Sequence, residues 1–260
     1  MFKQTIALFR FQLPGIINSR IFLLLGIIVL MAFLISRFIA ELAIINSEVI
    51  ALATLADFIR YCLVMLLIVS ICFQVSQDYE LNQFERLLAM PINRYQYVMA
   101  QTLLLVVFCL VLVLPVFILM ASVNEPRLAF YWAFALFLEL VLVGHFALLS
   151  SLSLVKLPLA VLLTLALYLL SKTASVIDLM LSHSSTYYSD EREFQLSSEI
   201  FQFIQYLLPN MSVFAQNNAL FTGENYTVLL TQQVITVVIY SIFIQFVILI
   251  DFYRKEFNQT

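Results

Sequence analysis

An all-α, polytopic membrane protein is the fold class this sequence predicts, and three observations predict it. Of its 260 residues, 63% are hydrophobic and only 11% are charged, whereas soluble domains are roughly 45–50% apolar and about 25% charged. The mean hydropathy is +1.01. The apolar residues also gather into six runs near the ~20 residues that a spanning helix needs, so little polar sequence remains to cover six such helices in water. One domain, residues 1–260, is expected, because no polar stretch is long enough to bury a core of its own.

Each element follows in order. Residues 1–18 place Phe2, Ile6, Phe9 and Leu13 on one helical face, with Lys3, Gln4 and Arg10 elsewhere, and end at Pro14-Gly15. That pattern predicts an interfacial helix feeding the first span. Span one is 21–40, with Arg20 and Arg37 placed to snorkel at its ends. It has no clear small-residue cleavage site, which favours an uncleaved span over a signal peptide. Span two is 59–76. Segment 77–96 then carries Leu81, Phe84, Leu87 and Leu88 at helical spacing, with Glu80, Gln83, Glu85 and Arg86 interleaved. It predicts a short amphipathic helix at the membrane surface, ended by Pro91. Asn93 is placed to cap the next helix, with Gln96 three positions on.

Span three, 97–123, has no charge, and span four, 128–151, holds one, Glu139. Span five, 156–171, is short and is expected to extend at its N-terminal end. In the long segment 172–225, a moderately apolar stretch, 173–181, precedes a polar one, 182–193. Ile200, Phe203, Ile204, Leu207 and Leu208 then recur at helical spacing before Pro209-Asn210. Two short apolar helices around a polar tip suggest a re-entrant hairpin before span six, 226–252. A surface loop with one amphipathic helix is the alternative.

Loop charges suggest the orientation. With the N-terminus inside, 8 basic residues fall on the cytoplasmic side, including Arg86, Arg94, Arg254 and Lys255, and 5 on the outer side: Arg37, Arg60, Arg127, Lys172 and Arg192. Both termini and the amphipathic segment are then cytoplasmic. The acids Asp190, Glu191 and Glu193 fall outside.

Chemistry-bearing motifs are scarce. The net charge of −3 gives no reason to expect nucleic acid. Cys62, Cys72 and Cys109 lie inside apolar runs and read as small hydrophobes rather than a disulfide framework or metal site. No phosphate-binding glycine loop or nucleophile elbow is present, and neither His145 nor His183 has a partner at metal-ligand spacing. No catalytic residue, cofactor or metal is assigned. Glu139 is the one acid deep in a span, where a charge costs at least ~2.5–3.5 kcal/mol and must face protein, water or a partner. It reads either as a proton or substrate contact or as a partnered carboxylate that fixes helix packing, and His145 carries the same two readings. Trp132, near Arg127, reads as an interfacial belt anchor with Tyr187, Tyr188, Tyr206 and Tyr226.

Phe84-Glu85-Arg86-Leu87-Leu88 followed by Met90-Pro91-Ile92-Asn93-Arg94 resembles the stretch between spans two and three of type-2 permeases of the ATP-binding cassette (ABC) transporter superfamily. The order of elements resembles that family over nearly the whole chain, while the motif covers about 25 residues. Leu207-Leu208-Pro209 with Gly223, and the basic exit Asp251–Phe257, are similar to family features as well. Asn82 stands where the family usually has glycine, and Gln101 where it often has lysine. Heme-exporter permeases share the pattern, so the subfamily stays open.

The resemblance implies half of a dimeric transmembrane unit in a bacterial inner membrane, formed with a second copy or a paralogous permease. Separate ABC ATPase subunits would dock on the cytoplasmic coupling helix. Glu80, Glu85, Arg86 and Arg94 would be polar contacts there, Phe84 and Leu88 the apolar anchor, and Pro91 the helix stop. Lys3 and Arg10 would add contacts from the N-terminal helix. It implies a transport permease, most simply an exporter, with ATP hydrolysed in the partner. A mechanotransmission subunit serving a periplasmic partner is the second class, and a membrane enzyme or electron carrier the third.

Overall fold

The computed structural model of the chain describes residues 19–42, 46–80, 94–154, 156–188, 208–214, 220 and 226–254. Among them every regular element is helical: α1 (Ser19–Leu42), α2 (Ser47–Glu80), α3 (Arg94–Val123), α4 (Pro126–Ser153), α5 (Leu157–Tyr188), a single 3₁₀ turn (Met211–Val213) and α6 (Tyr226–Arg254). Five of these helices, α1 to α4 and α6, are long and apolar enough to cross a membrane. In α5 the apolar portion is Leu157–Thr173, somewhat shorter. The expected interfacial helix at 1–18, the amphipathic helix within 81–93 and the second limb of the hairpin lie outside the described residues.

α4 is the centre of the bundle. α2, α3, α5 and α6 all pack on it, and α1 packs on the flank of α2. The most apolar window of α4 is 83% buried, against 17% in α1 and 22% in α6. Small residues at the buried positions Ala129, Ala133, Ala135, Gly144 and Ala147 let the neighbours approach closely. At Gly144 the approach is closest, because an added Cβ would lie 3.0 Å from Leu105 Cγ, inside van der Waals contact. Gly144→Val is therefore expected to cost about 1–3 kcal/mol of stability through overpacking, with partial recovery by Leu105→Ala. Thermal unfolding in detergent checks this.

α2 and α5 depart furthest from their sequence-predicted bounds. α2 begins at Ser47, twelve residues before the expected start at 59, and reaches 34 residues. Asp57 and Arg60 interrupt the apolar run without interrupting the helix. At 1.5 Å per residue α2 is about 51 Å long, well beyond a ~30 Å hydrocarbon core, so in a membrane it tilts or protrudes. α5 extends on the opposite side from the one expected. It starts at Leu157, with Pro158 in its first turn, where proline is favoured, and runs on to Tyr188. The stretch 173–181, expected to form a separate limb of the hairpin, is thus the continuation of α5, and the polar stretch that follows is helical as far as Tyr188. α4 begins at Pro126 rather than 128, again with proline in the first turn. α3 passes through Pro115 without a break, which leaves the carbonyl four residues earlier without its helical donor.

Side-chain bonds tie helix ends together. At the end formed by Glu80, Arg94 and Ser153, here called the near end, Tyr79 OH donates to the Leu152 carbonyl (3.2 Å) and Ser153 Oγ to Asp251 Oδ2 (2.9 Å). At the far end Ser36 Oγ donates to the Ala51 carbonyl (2.7 Å), Asn124 Nδ2 to the Leu220 carbonyl (2.9 Å) and Gln233 Nε2 to the Val213 carbonyl (3.0 Å). Asn46, with φ of 53°, takes the left-handed conformation that asparagine tolerates and leads the chain into α2.

Candidate functional site: a buried ionic cluster and a brace beside the amphipathic segment

Glu139 has a partner that the sequence did not reveal. Arg60 of α2 and Glu139 of α4 are both fully buried, with Nε and Oε2 3.5 Å apart. The periodicity of α2 explains why. Ala56, Arg60, Leu63, Leu67 and Ile71 recur at three- or four-residue steps along its buried stripe, so Arg60 points into the bundle with its apolar neighbours. Arg60 is therefore not an outer-loop charge as the sequence suggests, because it lies thirteen residues inside a continuous helix.

The cluster extends into α5. Tyr168 OH donates to Glu139 Oε1 (3.0 Å), and Lys172 Nζ donates to Tyr168 OH (3.2 Å). Tyr168 and Lys172 are one helical turn apart, which puts them on one face. Lys172 Nζ also lies 4.0 Å from the centre of the Tyr61 ring, and the Arg60 guanidinium lies 5.5 Å from that of Trp132. Trp132 is completely buried. Its expected role as an interfacial anchor is corrected, because the ring faces Arg60 from two turns along α4 from Glu139. The cluster therefore joins α2, α4 and α5 through two cations, a carboxylate and three aromatic rings.

Its energetics are demanding. Among the described residues, neither the guanidinium nitrogens of Arg60 nor Glu139 Oε2 has a hydrogen-bond partner of good geometry. The pair is held by charge attraction in a low-dielectric interior and by the cation–π contact. Such a pair adds little net stability against apolar packing, but losing one member strands the other charge.

His145 is not part of this cluster. It is buried on α4, and its Nδ1 lies 2.7 Å from the Val141 carbonyl, which accepts from it. That bond fixes the proton on Nδ1 and leaves Nε2 as a buried acceptor with no partner among the described residues. The three cysteines are free thiols. Among the described residues, no group of three His, Cys, Asp or Glu side chains is placed to hold a metal ion.

The second feature lies at the near end. Of the predicted docking residues, Glu80 is the exposed last residue of α2 and Arg94 opens α3, its side chain outside the description. Phe84, Glu85, Arg86, Leu88 and Pro91 lie outside the described residues. The helix ends that carry this segment are tied to each other. Tyr97 OH donates to Asp78 Oδ2 (3.4 Å), and Gln101 Nε2 donates to Tyr97 OH (2.8 Å). All three side chains are buried. Gln101, a departure from the resembled family, thus has a specific part here: it positions the phenol that holds Asp78. At the next residue along α3, Gln245 of α6 donates to Thr102 Oγ1 (2.8 Å). The segment 81–93 therefore leaves and re-enters a braced end of the bundle. Tyr97→Phe leaves Asp78 without this donor and is expected to cost about 1–3 kcal/mol, read as a lower unfolding midpoint in detergent.

No family model, no curated protein and no solved structure matches this chain.

Proposed function

We propose that this chain is the transmembrane permease subunit of an ATP-binding cassette transporter, acting as an exporter in a bacterial inner membrane. In this reading it spans six times, with both termini and the near end in the cytoplasm. It pairs with a second copy or a paralogous permease, and separate ATPase subunits hydrolyse ATP. One observation carries the reading. An amphipathic, charged segment ending in Met90-Pro91-Ile92-Asn93-Arg94 is held between two long apolar helices whose ends are tied by Tyr97 and Asp78. A push delivered to residues 81–93 reaches α2 and α3 together, because their ends are joined at the exit of the segment. ATP-driven closure shifts a membrane equilibrium only through a contact that differs between the two states, and in this reading the segment supplies that contact.

The buried cluster fits the same scheme. It links α2, which receives the push, to α4 at the centre of the bundle. A mechanotransmission subunit without cargo is the second reading. It is favoured by the acids Asp190, Glu191 and Glu193, which in this orientation offer a charged outer face to a periplasmic partner.

Site-directed labelling tests the proposal. In a cysteine-free background, Glu85→Cys is expected to react with a membrane-impermeant maleimide only from the cytoplasmic side, and to be shielded when the ATPase is co-expressed. Labelling from the outside, or no shielding, would refute it.

A further inference from the structure

A surface groove lies between α3 and α4, away from the ionic cluster. It is an apolar groove of about 280 Å³ that opens outward from the bundle, walled by Leu110, Leu114 and Phe117 on one side and Phe130, Phe134 and Phe137 on the other. Ala133 forms its floor, and the small side chain there is what leaves the space. The rings are ordered against one another. Phe130 meets Phe117 edge-on at 6.1 Å and stacks on Phe134 at 6.1 Å, which stacks on Phe137 at 6.4 Å.

Depth and charge give this groove an occupant. From Phe130 to Phe137 it runs about 10 Å along α4, which fits within one leaflet, about half of a ~30 Å hydrocarbon core. Arg127 lies one turn beyond Phe130 on the same stripe, at the far end of α4. Its guanidinium is exposed and leans on Tyr131, with Nε 3.4 Å from the hydroxyl and Cζ 5.9 Å from the ring centre. Glu125 precedes it by two residues and lies next to the helix start. An apolar slot of leaflet depth below an exposed guanidinium matches one ligand in both parts.

We propose that the groove holds a phospholipid, with one acyl chain against Phe130, Phe134 and Phe137 and the phosphate on Arg127. The site rests on the membrane reading alone and is independent of the transport proposal.

Photo-crosslinking tests it. The full chain in liposomes is irradiated with phosphatidylglycerol bearing a diazirine on one acyl chain, and the adducts are mapped by mass spectrometry. Adducts are expected to concentrate at 110–117 and 130–137 over the more exposed controls Leu162 and Ile242. Ala133→Phe fills the floor and Leu114→Trp narrows the mouth. Each is expected to lower groove labelling about tenfold, the loss for roughly two methylenes kept out of an apolar site. Because Leu114 is about half exposed (49%), its variant tests the site even if Ala133→Phe fails to fold. Arg127→Gln is expected to lower labelling about fivefold, and a diacylglycerol probe without phosphate to label about fivefold less. Adducts that follow exposure and ignore the groove variants would show an ordinary boundary lipid and overturn the proposal. Equal labelling by diacylglycerol would overturn it too, because the phosphate would have no grip.

Discussion

Glu139→Leu is expected to destabilise the folded chain by about 3–5 kcal/mol, the usual loss when one member of a buried ion pair is removed. The variant strands the Arg60 guanidinium, whose three nitrogens have no hydrogen bond among the described residues, and it removes the acceptor of Tyr168. Arg60→Met alone is expected to cost a comparable amount by leaving the carboxylate unpaired. The double variant Arg60→Met/Glu139→Leu is expected to recover most of the loss, because well-packed apolar residues replace a buried pair at little cost. What remains, about 1–3 kcal/mol, belongs to the Tyr168 hydroxyl, which keeps Lys172 as a donor but loses its acceptor. Unfolding midpoints of the two single variants and the double form a cycle that isolates the pair. Additive losses would show that Arg60 and Glu139 do not act together. The same cycle separates the two readings of Glu139. If the double variant restores both folding and transport, the carboxylate fixes packing. If folding returns without transport, the charge itself is used.

Phe84→Asp is the second variant with a large expected effect. On the docking proposal Phe84 is the apolar anchor of the contact with the ATPase. Burying a side chain of this size contributes about 1.5–3 kcal/mol, and a carboxylate in its place adds a desolvation cost. A loss of the ATPase by at least tenfold in affinity is therefore expected, with the permease itself still folded, because position 84 belongs to neither α2 nor α3. Glu85→Arg is expected to weaken docking less, and more so at low salt, as suits a charge at the rim of an interface. A fully retained ATPase in both variants would move the docking surface elsewhere.

Much of the fold was legible in the sequence, and the misses share one cause. Long apolar runs identified α1, α3, α4 and α6 to within a few residues, because hydrocarbon thickness sets a length that composition displays. α2 was cut short near Asp57 and Asp78 and α5 at Lys172, since the run was used as the ruler. Yet a helix continues through Asp57 and Arg60 as readily as through leucine when the charges find partners inside the bundle. The stripe Ala56, Arg60, Leu63, Leu67 was the available signal: it set Arg60 on the buried face, and an arginine there calls for an acid on a neighbouring span. Glu139 was recognised as the acid needing a partner, but not which helix would supply it, because helix packing order is not written in either helix alone. Trp132 was misplaced for a related reason. Proximity to Arg127 in sequence suggested the interface, whereas the α4 helix turns the ring inward to Arg60. The Tyr97–Asp78 tie spans nineteen residues and depends on how closely α2 and α3 approach at their ends.

On the docking proposal a separate ATPase drives this chain through residues 81–93. The most direct measurement is gentle purification of the tagged chain from native membranes, with identification and quantification of whatever ATPase accompanies it. A nucleotide-binding subunit with a phosphate-binding glycine loop, recovered near one per permease chain and lost with Phe84→Asp, is the predicted result. No ATPase under conditions that keep other membrane complexes intact, or an ATPase retained by a folded Phe84→Asp protein, would contradict it.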